Sequence, residues 1–492
     1  VTERTLSVNA SPAVDGRALD QRPAGRTGLV LAILVSCQLM LALDVTVMNV
    51  ALPRVQADLH FSSTGLSWVI NAYTLVFGGL LLLGGRAGDL FGRRRLFIGG
   101  ITLFTVASLV GGLAPSAGVL LTARVAQGLG AAAAGPSTLA LITTTFTEPQ
   151  QRIRALAIFS GVTTGGFAIG LIVGGLLTEL TSWRAVLFIN LPVGVAVTLL
   201  ATAFLREPVR HQGRLDLPGA VTATASTGAL VYGFIRAASA GWGDGGTLGS
   251  LAAGTVLLAV FLLIESRAKQ PLMPLHLFAN RDRAAAYLSF FLGPMAMMSS
   301  FFFLSQFLQN VRGLSPLTTG FAFLPLAALL FTMTRLIPRL LPRFGPKPIA
   351  LTGTALMAAG LIWLTRLTVS SVYFTDLLGP LALLGLGGGL AFSPLNIVIM
   401  GSVRPQDAGA AGGVLQTMQN VGATLGLAVL VTIFGASSRH AAATGADARH
   451  ALVSGMTPAF TVAAGFAVVS FLVALTFRRV RQQAAVQAKG EM

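Results

Sequence analysis

The sequence predicts an all-α polytopic membrane protein, on three observations. Hydrophobic residues make up 54% of the 492-residue chain and charged residues only 10%, where soluble proteins carry roughly 25% charged residues; mean hydropathy is +0.76. Apolar windows of about 20 residues, the length a helix needs to cross a hydrocarbon core of about 30 Å, recur along the whole chain. The net charge of +17 is gathered in the short gaps between these windows, which is the pattern of loops held on one side of a bilayer and not of a groove for nucleic acid.

The windows lie near residues 28–51, 66–85, 96–114, 117–142, 155–178 and 185–205, then 218–236 and 249–266, then 284–308, 317–337, 349–367, 374–400, 409–435 and 456–477. Six form a first half (28–205), two linking spans with flanking loops occupy 206–283, and six form a second half (284–477), flanked by tails 1–27 and 478–492. This predicts fourteen transmembrane helices in pseudo-symmetric halves. An even number puts both tails on one side, and most of the 34 lysines and arginines fall there, so both termini are expected in the cytoplasm. Arg124 is the basic residue placed inside a span. The N-terminal tail carries Arg4, Arg17, Arg22 and Arg26 before a run too long for a signal-peptide core, so no cleavage is expected. Basic residues are almost all arginine and the first residue is valine, which fits a GC-rich bacterial gene and a bacterial cytoplasmic membrane.

Enzyme chemistry is disfavoured. No loop is long enough for a soluble catalytic domain, the longest being about Ala436 to Gly455. The histidines (His60, His211, His276, His440, His450) all fall in loops without ligand spacing. The single cysteine, Cys37, lies inside the first span, so no disulfide framework or cysteine metal site exists. The expected energy source is a proton gradient, with no metal or cofactor.

One stretch organises the first half. Between spans two and three, Gly85-Arg86-Ala87-Gly88-Asp89-Leu90-Phe91-Gly92-Arg93-Arg94-Arg95-Leu96-Phe97 packs four arginines and one acid between glycines that permit close or left-handed backbone. A lone acid among arginines must sit where it pairs. The spacing G-x-x-x-D-x-x-G-R-R-R resembles the loop signature of the major facilitator superfamily. Arg343-Phe344-Gly345-Pro346-Lys347 echoes it between spans ten and eleven, with Pro342 where Asp89 stands. Pro149-Gln150 and Pro405-Gln406 likewise align the two halves, with Gly166 matching Gly422 and Gly170 matching Gly426.

Ionisable groups inside a membrane are costly and mark function. Asp44 and Arg124 each lie about seven residues from the same membrane face, a depth of roughly 10 Å, and can pair if their helices adjoin. Burial favours a protonated carboxyl and a neighbouring guanidinium the ionised one, so a partner that moves would load and release a proton. A static pair tying two helices together is the alternative.

The Asp44 segment (Leu43 to Pro53), Trp68 to Leu75, Arg124 to Gly130, Trp183-Arg184 with Phe188 to Gly194, Pro271 to Leu275 and Gly385 to Pro394 together resemble the fourteen-spanner drug:proton antiporters. The resemblance implies proton-driven export, with Asp44 as the first-helix acid, Arg124 as the fourth-helix arginine, and Gly85, Asp89, Gly92 and Arg93 as a conformational latch. One departure stands in helix five: Gly166, Gly170, Gly174 and Gly175 match the antiporter motif, but Leu171 occupies the position of its proline, removing a kink. Glycines at these intervals still permit close helix packing.

Span nine is rich in phenylalanine and methionine, and such surfaces adapt to varied apolar ligands. Asn71, Gln127, Asn190, Phe302, Gln306, Asn396 and Gln419 are the candidate cavity residues, although buried amides also tie helices together. With one intramembrane acid, the pocket suits neutral, aromatic or weakly charged compounds. The reading is a monomeric exporter in a lipid bilayer that exchanges protons for a hydrophobic small molecule, drug or antibiotic, by alternating access, in a producer exporting its own product. Two alternatives remain: a proton symporter for uptake of a metabolite, and a membrane sensor or scaffold.

Overall fold

The computed structural model describes residues 24–207, 216–268, 271–404 and 407–477, and every regular element among them is helical. The first half contains α1 (Ala24–Leu59), α2 (Trp68–Phe91), α3 (Arg93–Gly112), α4 (Ala117–Thr145), α5 (Pro149–Leu180) and α6 (Asn190–Phe204). Helices α7 (Leu217–Ala240) and α8 (Gly245–Arg267) follow. The second half contains α9 (Arg281–Gln306), α10 (Leu324–Phe344), α11 (Pro346–Leu364), α12 (Leu378–Gly401), α13 (Ala408–Ala443) and α14 (Ala448–Leu475). Residues 1–23 of the first tail, the second tail 478–492 and the Pro405-Gln406 repeat lie outside the described residues.

Twelve helices of the described chain are long and apolar enough to cross a membrane. The other two windows correspond to α5, whose separately resolved apolar stretch is Ile169–Leu180, and to α7. The latter reads Ala-Val-Thr-Ala-Thr-Ala-Ser-Thr-Gly over residues 220–228, and these hydroxyl and small residues dilute the apolar signal. Helices also overrun their windows: α1 continues through Pro53 to Leu59, because an apolar window finds only the part of a helix that lies in hydrocarbon.

Within the first half α4 packs along α3 and α2, and α1 along α5; within the second, α11 packs along α12 and α9 along α13. The halves meet along two seams, α2 against α13 and α5 against the short helix Pro316–Ala322 that precedes α10. Close approach on the first seam needs glycine: a Cβ on Gly78 would lie 2.6 Å from Cβ of Asn420. The α7–α8 hairpin leans on α13 and α2.

Buried apolar residues divide unevenly between the two ends of the molecule. At the end away from residues 24 and 477, one core unites both halves, from Val47 to Val69 with Phe301 to Phe307 and Phe434 to Phe460. At the opposite end the halves keep separate cores, one around Val30, Phe97 and Leu205 and one around Tyr287, Leu395 and Phe477. Polar contacts between halves reinforce the shared end: Ser305 Oγ donates to the Asn49 carbonyl at 3.0 Å, Gln309 Nε2 to the Val50 carbonyl at 2.8 Å and Leu317 N to Glu179 Oε2 at 2.9 Å.

Besides Asp44 and Arg124, five charged residues fall inside the predicted spans: Arg236, Glu265, Arg335, Arg366 and Asp376. Glu265 lies in the last turn of α8 and is buried, and Arg335 lies within α10, its guanidinium carbon 5.0 Å from the Phe331 ring centroid. Asp44 is therefore not the sole buried acid, nor Arg124 the sole intrahelical cation. Each lies near the end of its window, where a count of span residues is weakest.

Candidate functional site

The Gly85 to Phe97 stretch is less a loop than a joint. Helices α2 and α3 are separated by Gly92 alone, whose φ of +109° is a backbone that residues with a Cβ rarely adopt. Arg93, Arg94 and Arg95 form the first turn of α3, where cations oppose the helix dipole. The compensation comes from Glu207, just beyond α6: its Oε1 accepts from Arg94 N at 3.1 Å and its Oε2 from Arg95 N at 3.3 Å. A Cβ on Gly92 would fall 2.7 Å from that carboxylate. Asp89 pairs with Arg93 one turn away at 2.5 Å, so the latch residues meet on one surface. Gly85 faces Pro136 of α4 at an ordinary distance. The degenerate second copy has the same construction, a single glycine, Gly345, at φ +74° between α10 and α11.

The deeper site is a polar knot in the first half. The Asp44 side chain is wholly out of solvent, and Arg124 Nη1 lies 2.5 Å from its Oδ2. Gln127 Nε2 donates to Asp44 Oδ1 at 3.1 Å and Asn190 Nδ2 to the same oxygen at 3.0 Å. The guanidinium is held on every side: Nη1 also donates to Gln127 Oε1 at 2.8 Å, Nε to the Val69 carbonyl at 2.9 Å, and the group sits 4.6 Å over the Tyr73 ring. Ser108 Oγ accepts from Gln127 at 2.8 Å and from Asn190 at 3.3 Å while donating to the Phe104 carbonyl. Helices α1, α2, α3, α4 and α6 are thus joined through one carboxylate.

Arg124 and Gln127 are three residues apart and share a face of α4, which is why both reach α1. Burying a charge pair is costly unless further hydrogen bonds satisfy it, and here three donors converge on Asp44. Both carboxylate oxygens are used as acceptors, Oδ2 by Arg124 and Oδ1 by the Gln127 and Asn190 amides.

The helix-five glycines do what their spacing implies. Gly166 abuts Leu39 and Ala42, Gly170 abuts Thr46, and Gly174 abuts the Val47 backbone, seating α5 on α1. Gly175 instead faces Pro316 and Leu317 of the other half. Leu171 is buried in the core shared by the halves, its carbonyl against Gly320.

The cavity candidates scatter. Gln127 and Asn190 belong to the Asp44 knot and are sealed from solvent, so they bind the acid and not an open cavity. Phe302 packs edge-on to Phe303 at 5.3 Å inside the shared core, and Gln306, buried beside it, accepts from Asn310. Both seal the closed end. Asn396 is exposed and Gln419 half-buried. Asn71 is fully buried with neither amide atom partnered. An apolar cavity of about 420 Å³ lies elsewhere, between α7 and α8 on one side and the α2/α13 seam on the other, and is lined by Gly79, Leu82, Phe261, Leu272, Met273 and Met418 among others. Sequence reasoning missed Ser108, Tyr73 and Glu207.

A helical membrane bundle with a buried acid and arginine in its first half and a glycine-jointed arginine turn is the architecture of a secondary transporter. Residues 34–427 match the Major Facilitator Superfamily, and the chain belongs to that family; it is a transporter and not an enzyme. It is 43% identical over 448 residues to the puromycin resistance protein pur8 of Streptomyces alboniger, covering 90% of this chain and 87% of that one. It is 40% identical over 417 residues to the cephamycin export protein CmcT of Amycolatopsis lactamdurans, covering 84% and 85%. The crystal structure of a bacterial homolog of the human lysosomal transporter Spinster, in an inward-facing and unoccupied conformation, superimposes with a TM-score of 0.67 at 18% identity, covering 93% of this chain and 98% of that one.

Proposed function

We propose that this chain exports hydrophobic small molecules of the antibiotic type from a bacterial cell in exchange for protons. The names of its relatives, a puromycin resistance protein and a cephamycin exporter, support the substrate class. The observation that carries proton coupling is the buried Asp44–Arg124 pair with its converging amides. Asp44 carries the proton, Arg124 drives its release by returning to the carboxylate, and Gln127 and Asn190 hold the acid in register between the two states.

In this reading all fourteen long helices cross the cytoplasmic membrane as six, two and six, with both termini in the cytoplasm. The shared core then closes the outer side and the separate cores flank an inward opening. The joint at Asp89, Gly92 and Arg93 latches one of the two states. The protein works as a monomer, needing the lipid bilayer, the substrate and protons, and no metal, organic cofactor or nucleic acid.

The test is export from proteoliposomes under an imposed pH gradient, with puromycin and a lipophilic fluorescent dye as substrates. Wild type exports at least one of them and stops when a protonophore collapses the gradient. Asp44→Asn, a near-isosteric change, abolishes gradient-driven export while leaving dye binding in place. Gradient-driven export by Asp44→Asn at the wild-type rate rules out Asp44 as the coupling residue.

A further inference from the structure

A second pair of acids lies outside the bundle, where the linking hairpin meets the second half. Asp216 caps α7, its Oδ1 accepting from Gly219 N at 2.9 Å. Glu265 sits in the last turn of α8, 3% exposed, its Oε2 accepting from Met273 N at 2.9 Å. That leaves one oxygen on each carboxyl. Asp216 Oδ2 and Glu265 Oε1 are both buried and neither has a hydrogen-bond partner. They converge on one point: a Cβ on Gly219 would lie 2.6 Å from the first and 2.8 Å from the second. The absence of a side chain at Gly219 is what leaves room for both oxygens on the same side of α7.

Two ionised carboxylates carry acceptors only, so facing oxygens repel and each is left unsatisfied. One proton between them turns the repulsion into a charge-assisted O–H···O⁻ bond and satisfies both orphan atoms at once. A cation would do the same electrostatically, but a buried cation draws on several more oxygens, and the other oxygen of each acid is already engaged by a backbone N–H. The charged groups on the described elements around the pair are committed elsewhere or point outward. Arg267 is exposed at the end of α8, His276 pairs with Asp407 at 3.3 Å, and Arg283 donates to the carbonyls of Leu277, Ser402 and His276.

We propose that Asp216 and Glu265 form a proton-binding site separate from Asp44, holding one shared proton that ties the start of α7 to the end of α8, where Glu265 also holds the Met273 N–H. The clamp sits at a wall of the apolar cavity: Ala220, one residue from Gly219, and Leu272 and Met273, beside the Glu265 contact, all line it. Loss of the proton separates the carboxyls and loosens that wall of the cavity, making the closure of the hairpin at this end depend on pH. The site does not rest on the export reading, since its proton is detected without transport.

The test is infrared difference spectroscopy of the purified full chain in nanodiscs, titrated from mildly acidic to mildly alkaline pH. A protonated-carboxyl C=O band that disappears on raising pH is expected in wild type and in Asp44→Asn. It is expected to be lost in Glu265→Gln, which mimics the protonated acid and keeps the fold, and in Asp216→Asn. Melting temperature follows the same titration in wild type, falling as the shared proton leaves, and is flat in Glu265→Gln. A titrating band unchanged in both single variants overturns the proposal. So does a melting temperature raised at fixed pH by sodium, magnesium or calcium chloride in wild type but not in Glu265→Gln, which would make the pair a cation site.

Discussion

At the scale of single residues, the decisive feature is that Arg124 serves four partners at once. Lysine keeps the charge but not the planar fork, so Arg124→Lys can satisfy Asp44 or the Val69 carbonyl and not both. Removing one member of a buried pair leaves the other charged and unpaired, at a cost of about 3 to 5 kcal/mol. Arg124→Ala is therefore expected to melt well below wild type in detergent, and Arg124→Ala with Asp44→Asn to recover much of that loss. A double variant no more stable than Arg124→Ala would mean that the cost comes from the guanidinium's packing on Tyr73 and not from a stranded carboxylate. The sequence made Asp44 and Arg124 legible because charge inside an apolar run is rare. It did not disclose that Gln127 and Asn190 point at the acid, since an amide in a span serves a cavity or a neighbouring helix equally well. Ser108 was invisible for a plainer reason: serine is common in membrane helices, where its hydroxyl bonds back to the preceding turn.

At the scale of elements, the joint between α2 and α3 depends on a residue outside its own motif. Glu207 lies more than a hundred positions along the chain, among basic residues that make it read as one more loop charge. Only the folded bundle brings it to the first turn of α3. Glu207→Gln keeps the shape and loses the charge that offsets three arginines at a helix N-terminus; a cap of this kind is worth about 1 kcal/mol. The expected outcome is a modest fall in melting temperature with faster amide hydrogen exchange confined to residues 93–97. Gly92→Ala fails in two ways, through its positive φ and through the collision with Glu207, and pairing it with Glu207→Gly relieves only the second. If the pair melts no higher than Gly92→Ala alone, backbone strain accounts for the whole effect. The helix-five motif was legible by contrast, because glycine spacing is itself the contact: Gly166, Gly170 and Gly174 touch α1 directly through their missing side chains, and only Gly175 turns to the other half.

At the scale of the whole molecule, the asymmetry of the cores defines what has to move. One end is a single apolar core with three polar ties between halves, while the other holds two cores that do not merge. Pattern reading reaches the division into halves but not this asymmetry, because the same helices and the same apolar faces serve either state of an alternating transporter. Converting one arrangement to the other must break the α5 contact with the Pro316–Ala322 helix, where Gly175 lies against Leu317 and Glu179 accepts from its N–H. A thiol pair at Glu179→Cys and Leu317→Cys, joined by a short bifunctional maleimide, is therefore expected to hold that end shut and to stop export almost completely. Reacting either single variant should leave export unchanged. The native chain offers little background, since its one cysteine, Cys37, is buried. Substrate binding from the opposite side should survive cross-linking, measured by quenching of a bound dye, which separates a trapped protein from an unfolded one. Undiminished export by the fully cross-linked pair would mean that this end never opens, and alternation between the two seams would have to be abandoned for this chain.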